Sequence, residues 1–72
     1  MWIRSQNGRV LNNTEKIYIE YNKEIYNIED DDFIYGEYST EKKAIIVLDM
    51  IEKYIKEKLN IIFQMPQDNE VE

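Results

Sequence analysis

Ser39-Thr40-Glu41-Lys42-Lys43-Ala44-Ile45-Ile46-Val47-Leu48-Asp49-Met50-Ile51-Glu52-Lys53-Tyr54-Ile55-Lys56-Glu57-Lys58-Leu59 decides the fold, because nothing in it interrupts a helix: it contains no Gly and no Pro. Ala44, Val47, Leu48, Ile51, Ile55 and Leu59 recur at helical spacing and fall within an arc of about 120° at roughly 100° per residue. Ser39 suits the N-cap, since its hydroxyl can accept from an orphan amide of the first turn. Glu41 then sits at the positive end of the helix dipole, and Lys53, Lys56 and Lys58 sit at the negative end. Lys58 falls beside the apolar arc, where its stem can cover apolar surface while its ammonium reaches water. The spacing predicts one long helix over about 40–59, ended by Asn60.

Upstream of Ser39 the period is two. Trp2-Ile3-Arg4-Ser5-Gln6 and Arg9-Val10-Leu11 read as the arms of a hairpin around Asn7-Gly8, a pair that favours the positive φ values of a type I′ turn. Asn12-Asn13-Thr14 breaks the run, with a bulge or second turn expected there. Ile17, Ile19 and Tyr21 alternate with Lys16, Tyr18 and Glu20, which predicts a strand. Asn22-Lys23 reads as a tight turn, Lys23 to Ile28 as the next strand, and Glu29-Asp30-Asp31-Asp32 as a polar reversal. Phe33-Ile34-Tyr35-Gly36-Glu37-Tyr38 reads as a further strand, in which Gly36 marks a bulge or a close approach by other atoms. After the helix, Ile61-Ile62-Phe63-Gln64-Met65 reads as a short last strand stopped by Pro66.

These elements predict an α+β fold. It is a two-layer sandwich, with a four-stranded antiparallel meander, one long helix across it and a short C-terminal strand; one sheet face stays open to water or a partner. Residues 1–66 form the single domain, and 67–72 read as a flexible acidic tail. With 72 residues there is no room for a second core. Which sheet face the helix covers is open, because Tyr18 and Tyr26 make both faces partly apolar and a one-residue slip exchanges them.

Composition removes several classes of function. The chain has no Cys and no His, which leaves no disulfide framework and no thiol- or imidazole-based nucleophile or metal site. Its 9 Lys+Arg against 15 Asp+Glu give a net charge of -6, which disfavours direct binding of duplex nucleic acid or of anionic membrane. No apolar run approaches the roughly 20 residues of a membrane span. The opening turns polar at once and is not the apolar run of a secretory signal. Gly8 and Gly36 are the only glycines, so there is no Gly-rich phosphate cradle. Ser5 and Ser39 are the only serines, and no carboxylate pair is marked for acid–base work, so no enzyme and no cofactor are expected.

Three surface features remain. Ile46, Met50 and Tyr54 form a second apolar row at i, i+4, i+8, which widens the apolar face of the helix to about 220°. Either the sheet curls around the helix or the terminal strand covers the row, or the row is the surface of a homodimer or partner complex. Trp2 and Arg4 project from one face of the first strand; with Ser5 and Gln6 they are the residues best placed to hold a planar, anionic ligand by stacking and bidentate contact. Glu29, Asp30, Asp31 and Asp32 form an acidic cluster suited to a basic partner. As a calcium loop the cluster fails: counted from Asp30, the fifth position is Ile34 and the sixth Tyr35, where a ligand and a Gly are needed.

The opening Met1-Trp2-Ile3-Arg4-Ser5-Gln6, the central Gly36-Glu37-Tyr38-Ser39-Thr40-Glu41 leading into Ala44 and Val47-Leu48-Asp49, and the closing Phe63-Gln64-Met65-Pro66 resemble a family of small, mostly uncharacterised proteins of low-GC Gram-positive bacteria, their prophages and mobile elements. The resemblance spans nearly the whole chain but does not match residues 12 to 33 closely. It implies a phage or mobile-element accessory protein acting in the cytoplasm of an infected or lysogenic host. Small proteins of that context often block host defence. The expected function is a non-catalytic interaction protein that inhibits an anti-phage defence protein. The alternatives are a sponge for a nucleotide-derived immune signal, or a structural or regulatory phage protein with no immune role.

Overall fold

The computed structural model describes residues 1–58 and 61–72. In chain order it has β1 (Trp2–Arg4), β2 (Leu11–Asn13), β3 (Tyr18–Asn22), β4 (Ile25–Glu29), β5 (Ile34–Tyr38), the helix α1 (Glu41–Lys56), β6 (Phe63–Gln64) and a 3-10 turn at Asp68–Glu70. The α+β class, the one long helix and the short C-terminal strand are as expected. The strands are shared between two three-stranded sheets, β2-β1-β6 and β3-β4-β5, rather than forming one meander. β1 pairs antiparallel with β2 on one edge and parallel with β6 on the other, and the break falls between β2 and β3, which do not pair, so β3-β4-β5 forms a sheet of its own.

Register settles which face of the second sheet is covered. Ile28 lies opposite Ile19 on β3 and Gly36 on β5, and Tyr26 lies opposite Tyr21 and Tyr38. Ile28 and Tyr38 are fully buried and join Ala44, Val47 and Ile51 of α1 in the core, which Ile3, Phe63 and Met65 complete from the first sheet and the segment after it. Side chains of residues two apart share a face. The row Glu20–Asn27–Glu37 therefore lies on the sheet's outer side. Gly36 makes a close approach on the inner side: a Cβ there would sit 3.0 Å from both Met65 Cε and the Tyr38 ring, so a larger residue asks these neighbours to shift.

Several local expectations shift. Asn12 and Asn13 lie in β2 rather than breaking the chain. The Asn7-Gly8 turn is not type I′, since Gly8 (φ 76) has a positive φ and Asn7 does not; instead Asn7 Oδ1 accepts from the Ser5 hydroxyl (2.7 Å) and the Arg9 amide (2.9 Å). The N-cap of α1 is Thr40, whose Oγ1 accepts from the Lys43 amide at 3.2 Å. Ser39 is drawn off by Asp68, to which it donates through its amide (2.8 Å) and its hydroxyl (3.0 Å to Oδ2). The helix stops at Lys56, and Lys58 (φ 52) turns into the left-handed region instead of continuing along the apolar arc. The expectation that Leu59 extends the helix and Asn60 ends it lies outside the described residues.

In the structure the tail packs back on the domain rather than standing free. Val71 is buried, the Lys43 ammonium donates to the Asp68 carbonyl oxygen (3.0 Å), and the Gln67 side-chain amide donates to the Gln6 carbonyl (2.8 Å). Asp68 supplies an anion at the N-terminus of α1, where the exposed amides of the first turn favour negative charge.

The two-residue turn between β3 and β4 is Lys23-Glu24, one position later than expected, and both residues have positive φ (50 and 67). That is the type I′ pattern, which favours Asn or Gly and costs other L-residues roughly 1–2 kcal/mol each. Replacing the pair by Asn-Gly (Lys23→Asn with Glu24→Gly) is expected to stabilise the fold by about 1 kcal/mol, read as a higher urea midpoint with an unchanged m-value. An unchanged or lower midpoint would contradict the turn assignment.

Candidate functional site

Between the two sheets stands Tyr35. β4 and β5 slip register between Ile28 and Glu29, because Gly36 faces Ile28 while Ile34 faces Glu29; Tyr35 is the extra residue of the resulting bulge. A bulge re-aims its side chain, and here the ring is fully buried with its hydroxyl donating to the Asp30 carboxylate and accepting from Asn12 Nδ2 at 3.0 Å. The Tyr35 carbonyl accepts from the Gln6 amide at 2.7 Å. Asn12 and Gln6 belong to the first sheet and its turn, so this one residue joins both halves of the fold.

Asp30 is thereby committed to structure. Its Oδ1 accepts the amides of Asp32 and Phe33 at 2.8 Å each. Burial alone would raise its pKa, but the hydrogen bonds from Tyr35, Phe33 and Asp32 outweigh it and hold the carboxyl below the usual aspartate value. The acidic cluster proposed for a basic partner therefore reduces to its neighbours. Asp31 and Asp32 are exposed, with Asp31 accepting from the Tyr18 hydroxyl at 3.1 Å, and Glu29 is half-buried on β4. Among the described residues no group of three or more acidic side chains is placed to hold a metal ion.

The N-terminal cluster also divides. Ser5 is buried, and its hydroxyl accepts from the Val10 amide (3.0 Å) while donating to Asn7. Gln6 mimics a strand partner: its Oε1 accepts from the Glu37 amide (2.8 Å), and its Nε2 donates to the Glu37 carbonyl (3.1 Å) and the Pro66 carbonyl (3.0 Å). These two side chains have no polar group left for a ligand. Trp2 and Arg4 do flank the inward Ile3 on the outer face of β1; Trp2 is 50% exposed, and Arg4 holds the Gly8 carbonyl through Nε (3.2 Å) and Nη2 (3.1 Å).

Of the helix row, Ile46 and Tyr54 pack against the core, and the Tyr54 ring meets Phe63 edge-on at 4.8 Å, so β6 covers that end. Met50 stays 42% exposed. A groove of about 1010 Å³ opens further along, where Trp2 and Ile17 face Ile51, Ile55, Ile61 and Ile62.

The outer side of the second sheet carries the feature that sequence reading missed. Glu20, Asn27 and Glu37 stand side by side across β3, β4 and β5, with both carboxylates exposed and Asn27 only 5% exposed. Asn27 Oδ1 is buried and accepts no hydrogen bond. A polar residue in the middle of the period-two run Ile25–Glu29 was the available signal, but it acquires meaning only once the register places it between two acids. No protein-family model, curated protein or solved structure matches the chain. No helix among the described residues is long and apolar enough to cross a membrane.

Because the folded-state pKa of Asp30 lies below that of the unfolded chain, its stabilisation is complete above the ordinary aspartate value of about 3.9 and is lost as pH falls through the depressed folded value. Asp30→Asn keeps one acceptor oxygen where two now serve, so either the Tyr35 hydroxyl or the Asp32 and Phe33 amides lose their acceptor, at an expected cost of about 1–3 kcal/mol at neutral pH. The gap between wild type and variant in urea unfolding should hold from neutral to mildly acidic pH and shrink below about pH 4. A gap that does not change down to strong acid would contradict the charged hydrogen-bond network.

Proposed function

We propose that the chain is a non-catalytic interaction protein whose open sheet face docks on a basic surface of a bacterial anti-phage defence protein, in the cytoplasm of an infected or lysogenic host, and inhibits it. The observation that carries the docking mode is the row Glu20–Asn27–Glu37, two exposed carboxylates flanking a carbonyl oxygen that has no donor. A guanidinium supplies five donors in a rigid fork, which suits the two exposed carboxylates; the Asn27 oxygen buried between them joins the contact only if the side chains flanking it part. The net charge of -6 speeds encounter with a positive surface such as a nucleic-acid channel. The defence setting comes from the resemblance carried by the opening, central and closing motifs; the acidic face supports only the manner of binding.

The test is reversal of charge on that face. Glu20→Arg with Glu37→Arg leaves the inner side of the sheet untouched, so the melting temperature should change little. Expression of the wild-type gene is expected to restore phage plating on a strain bearing the targeted defence, and the defence protein should co-purify at low salt and be released at high salt. The charge-reversed protein should restore neither plating nor retention. Full activity of the reversed protein, or no gain in plating across strains with diverse defences, would contradict the proposal.

Trp2 and Arg4 favour a second reading, a sponge for a nucleotide-derived immune signal, because a half-exposed indole and a guanidinium share one strand face. Calorimetry against cyclic and ADP-ribose-derived nucleotides is expected to show binding that Trp2→Ala abolishes if this reading holds. Flat titrations across the panel would contradict it.

A further inference from the structure

β3 borders the second sheet, and no strand pairs with its outer edge. Its hairpin with β4 closes on the pair Asn22–Ile25 around a two-residue turn, so that pair exchanges hydrogen bonds, and so do Glu20–Asn27 and Tyr18–Glu29 behind it. Ile19 and Tyr21 then direct their amides and carbonyls away from β4. The same alternation sends the backbone of Tyr35 and Glu37 to the opposite edge of the sheet, and there Gln6 meets it. The Gln6 amide donates to the Tyr35 carbonyl (2.7 Å), and its side chain pairs with the Glu37 amide (2.8 Å) and carbonyl (3.1 Å). Among the described residues nothing donates to or accepts from the edge groups of Ile19 and Tyr21.

The edge also lacks the usual protection. Soluble proteins blunt a free edge with Lys, Pro, a bulge or an inward-pointing charge, or keep it short. β2 and β6 are short, with three and two residues. Tyr18–Asn22 has five residues, and its one charge, Glu20, lies on the outer side of the sheet. Ile17, Ile19 and Tyr21 share the inner side, Ile17 and Ile19 half-buried and Tyr21 58% exposed.

A strand that fits this edge sets apolar side chains opposite those three and no acid directly opposite Glu20. β3 itself does so when run antiparallel about a twofold axis at Ile19. Ile19 then lies opposite Ile19 and Tyr21 opposite Ile17, and each of these pairs exchanges two hydrogen bonds. On the outer side Glu20 lies opposite Tyr18, with Lys16 of the second copy on one diagonal and Glu20 of the second copy on the other. Beyond the strand, Lys23 falls opposite Glu15. Other registers fit less well. An axis at Glu20 sets the two carboxylates directly opposite. An axis at Tyr21 sets Ile19 opposite Lys23, which has left the strand (φ 50). An axis at Tyr18 sets Tyr21 opposite Glu15, at the bend before the strand. From α1, Asp49, Glu52 and Lys56 border the hollow beside Ile17, and Glu52 already pairs with Lys56 at 3.6 Å. The net charge of -6 on each copy opposes association at low salt, but at physiological ionic strength charges more than about 8 Å apart are screened.

We infer that the β3 edge is the seat of a second copy of the chain, in a twofold dimer whose two β3 strands pair in the Ile19–Ile19 register and join the second sheets into one of six strands. The pairing uses the edge rather than the outer face and needs no defence protein, so it stands or falls separately from the docking proposed above.

Sedimentation equilibrium and amide hydrogen exchange test it, both from micromolar to near-millimolar chain at physiological salt. The mass is expected to rise toward twice the monomer. The Ile17, Ile19 and Tyr21 amides should exchange fast in the monomer and gain protection together as the dimer fills. Tyr21→Pro removes an amide that the hairpin does not use, so it should keep the circular-dichroism spectrum and weaken association by roughly tenfold or more. Tyr21→Lys, at an exposed side chain, sets a cation opposite Ile17 and is the second variant if proline disturbs the strand; it should weaken association too. A wild type that is monomeric throughout, a dimer in which these three amides stay unprotected, or a dimer that the folded Tyr21 variants leave intact would overturn the inference.

Discussion

The hydrogen bond from the buried Tyr35 phenol to the Asp30 carboxylate is the contact on which the rest of the structure depends. It exists because β5 carries one residue more than β4 at that point, which aims the ring into the interior. Burial, the Asp30 charge and the hydrogen bond all raise the pKa of the phenol, with burial the largest cause, so it remains a donor. The carboxylate in turn organises the turn from β4 to β5 through the Asp32 and Phe33 amides. Through Asn12 and Gln6 the same residue reaches the first sheet. Two small sheets that would each be marginal alone thus share one core.

A second set of contacts closes the other end. Gln6, Gln64 and Gln67 use their side-chain amides as extra backbone: Gln6 pairs with Glu37, Gln64 donates to the Ser5 carbonyl at 3.1 Å, and Gln67 donates to the Gln6 carbonyl. The Tyr38 hydroxyl donates to the Pro66 carbonyl at 2.8 Å, and burial pushes its pKa well up. The N-terminal strand, the last strand of the meander and the C-terminal segment are therefore tied at one point. The helix completes the core on the inner side of the second sheet. On the outer side Glu20 and Glu37 are left exposed with Asn27 buried between them, and the Trp2–Ile55 groove stays open.

Elements with strong local signals were legible in the sequence. The helix was, because periodic apolar residues without Gly or Pro leave no alternative over that length. The strands of the second sheet were, because Ile19, Tyr21, Tyr26 and Ile28 alternate cleanly. Gly36 announced the close approach that Met65 and Tyr38 make. What stayed hidden depends on long-range pairing. That β6 would take the free edge of β1 follows from contacts about sixty residues apart, and no local pattern marks that β2 and β3 stay unpaired. The same applies to Ser39, which reads as a cap until Asp68 arrives, and to the tail that Asp68 and Val71 anchor. Of the site candidates, Trp2 and Arg4 keep exposed surface, while Ser5, Gln6 and Asp30 are drawn inside because their polar atoms meet backbone that no local pattern brings near. Asn27 drew no notice for the converse reason: only register puts it between Glu20 and Glu37.

The functional reading requires a rigid platform, since an open acidic face and a free strand edge can recognise partners only if both sheets hold their relation to the helix. Native-state hydrogen exchange in wild type and Tyr35→Phe measures this directly. If the two sheets form one cooperative unit, removing the phenol lowers the protection of the Met65 amide, which is bonded to Arg4 in the first sheet, by the same free energy as that of amides between β4 and β5. Loss of protection confined to the second sheet, with Met65 unchanged, would contradict it.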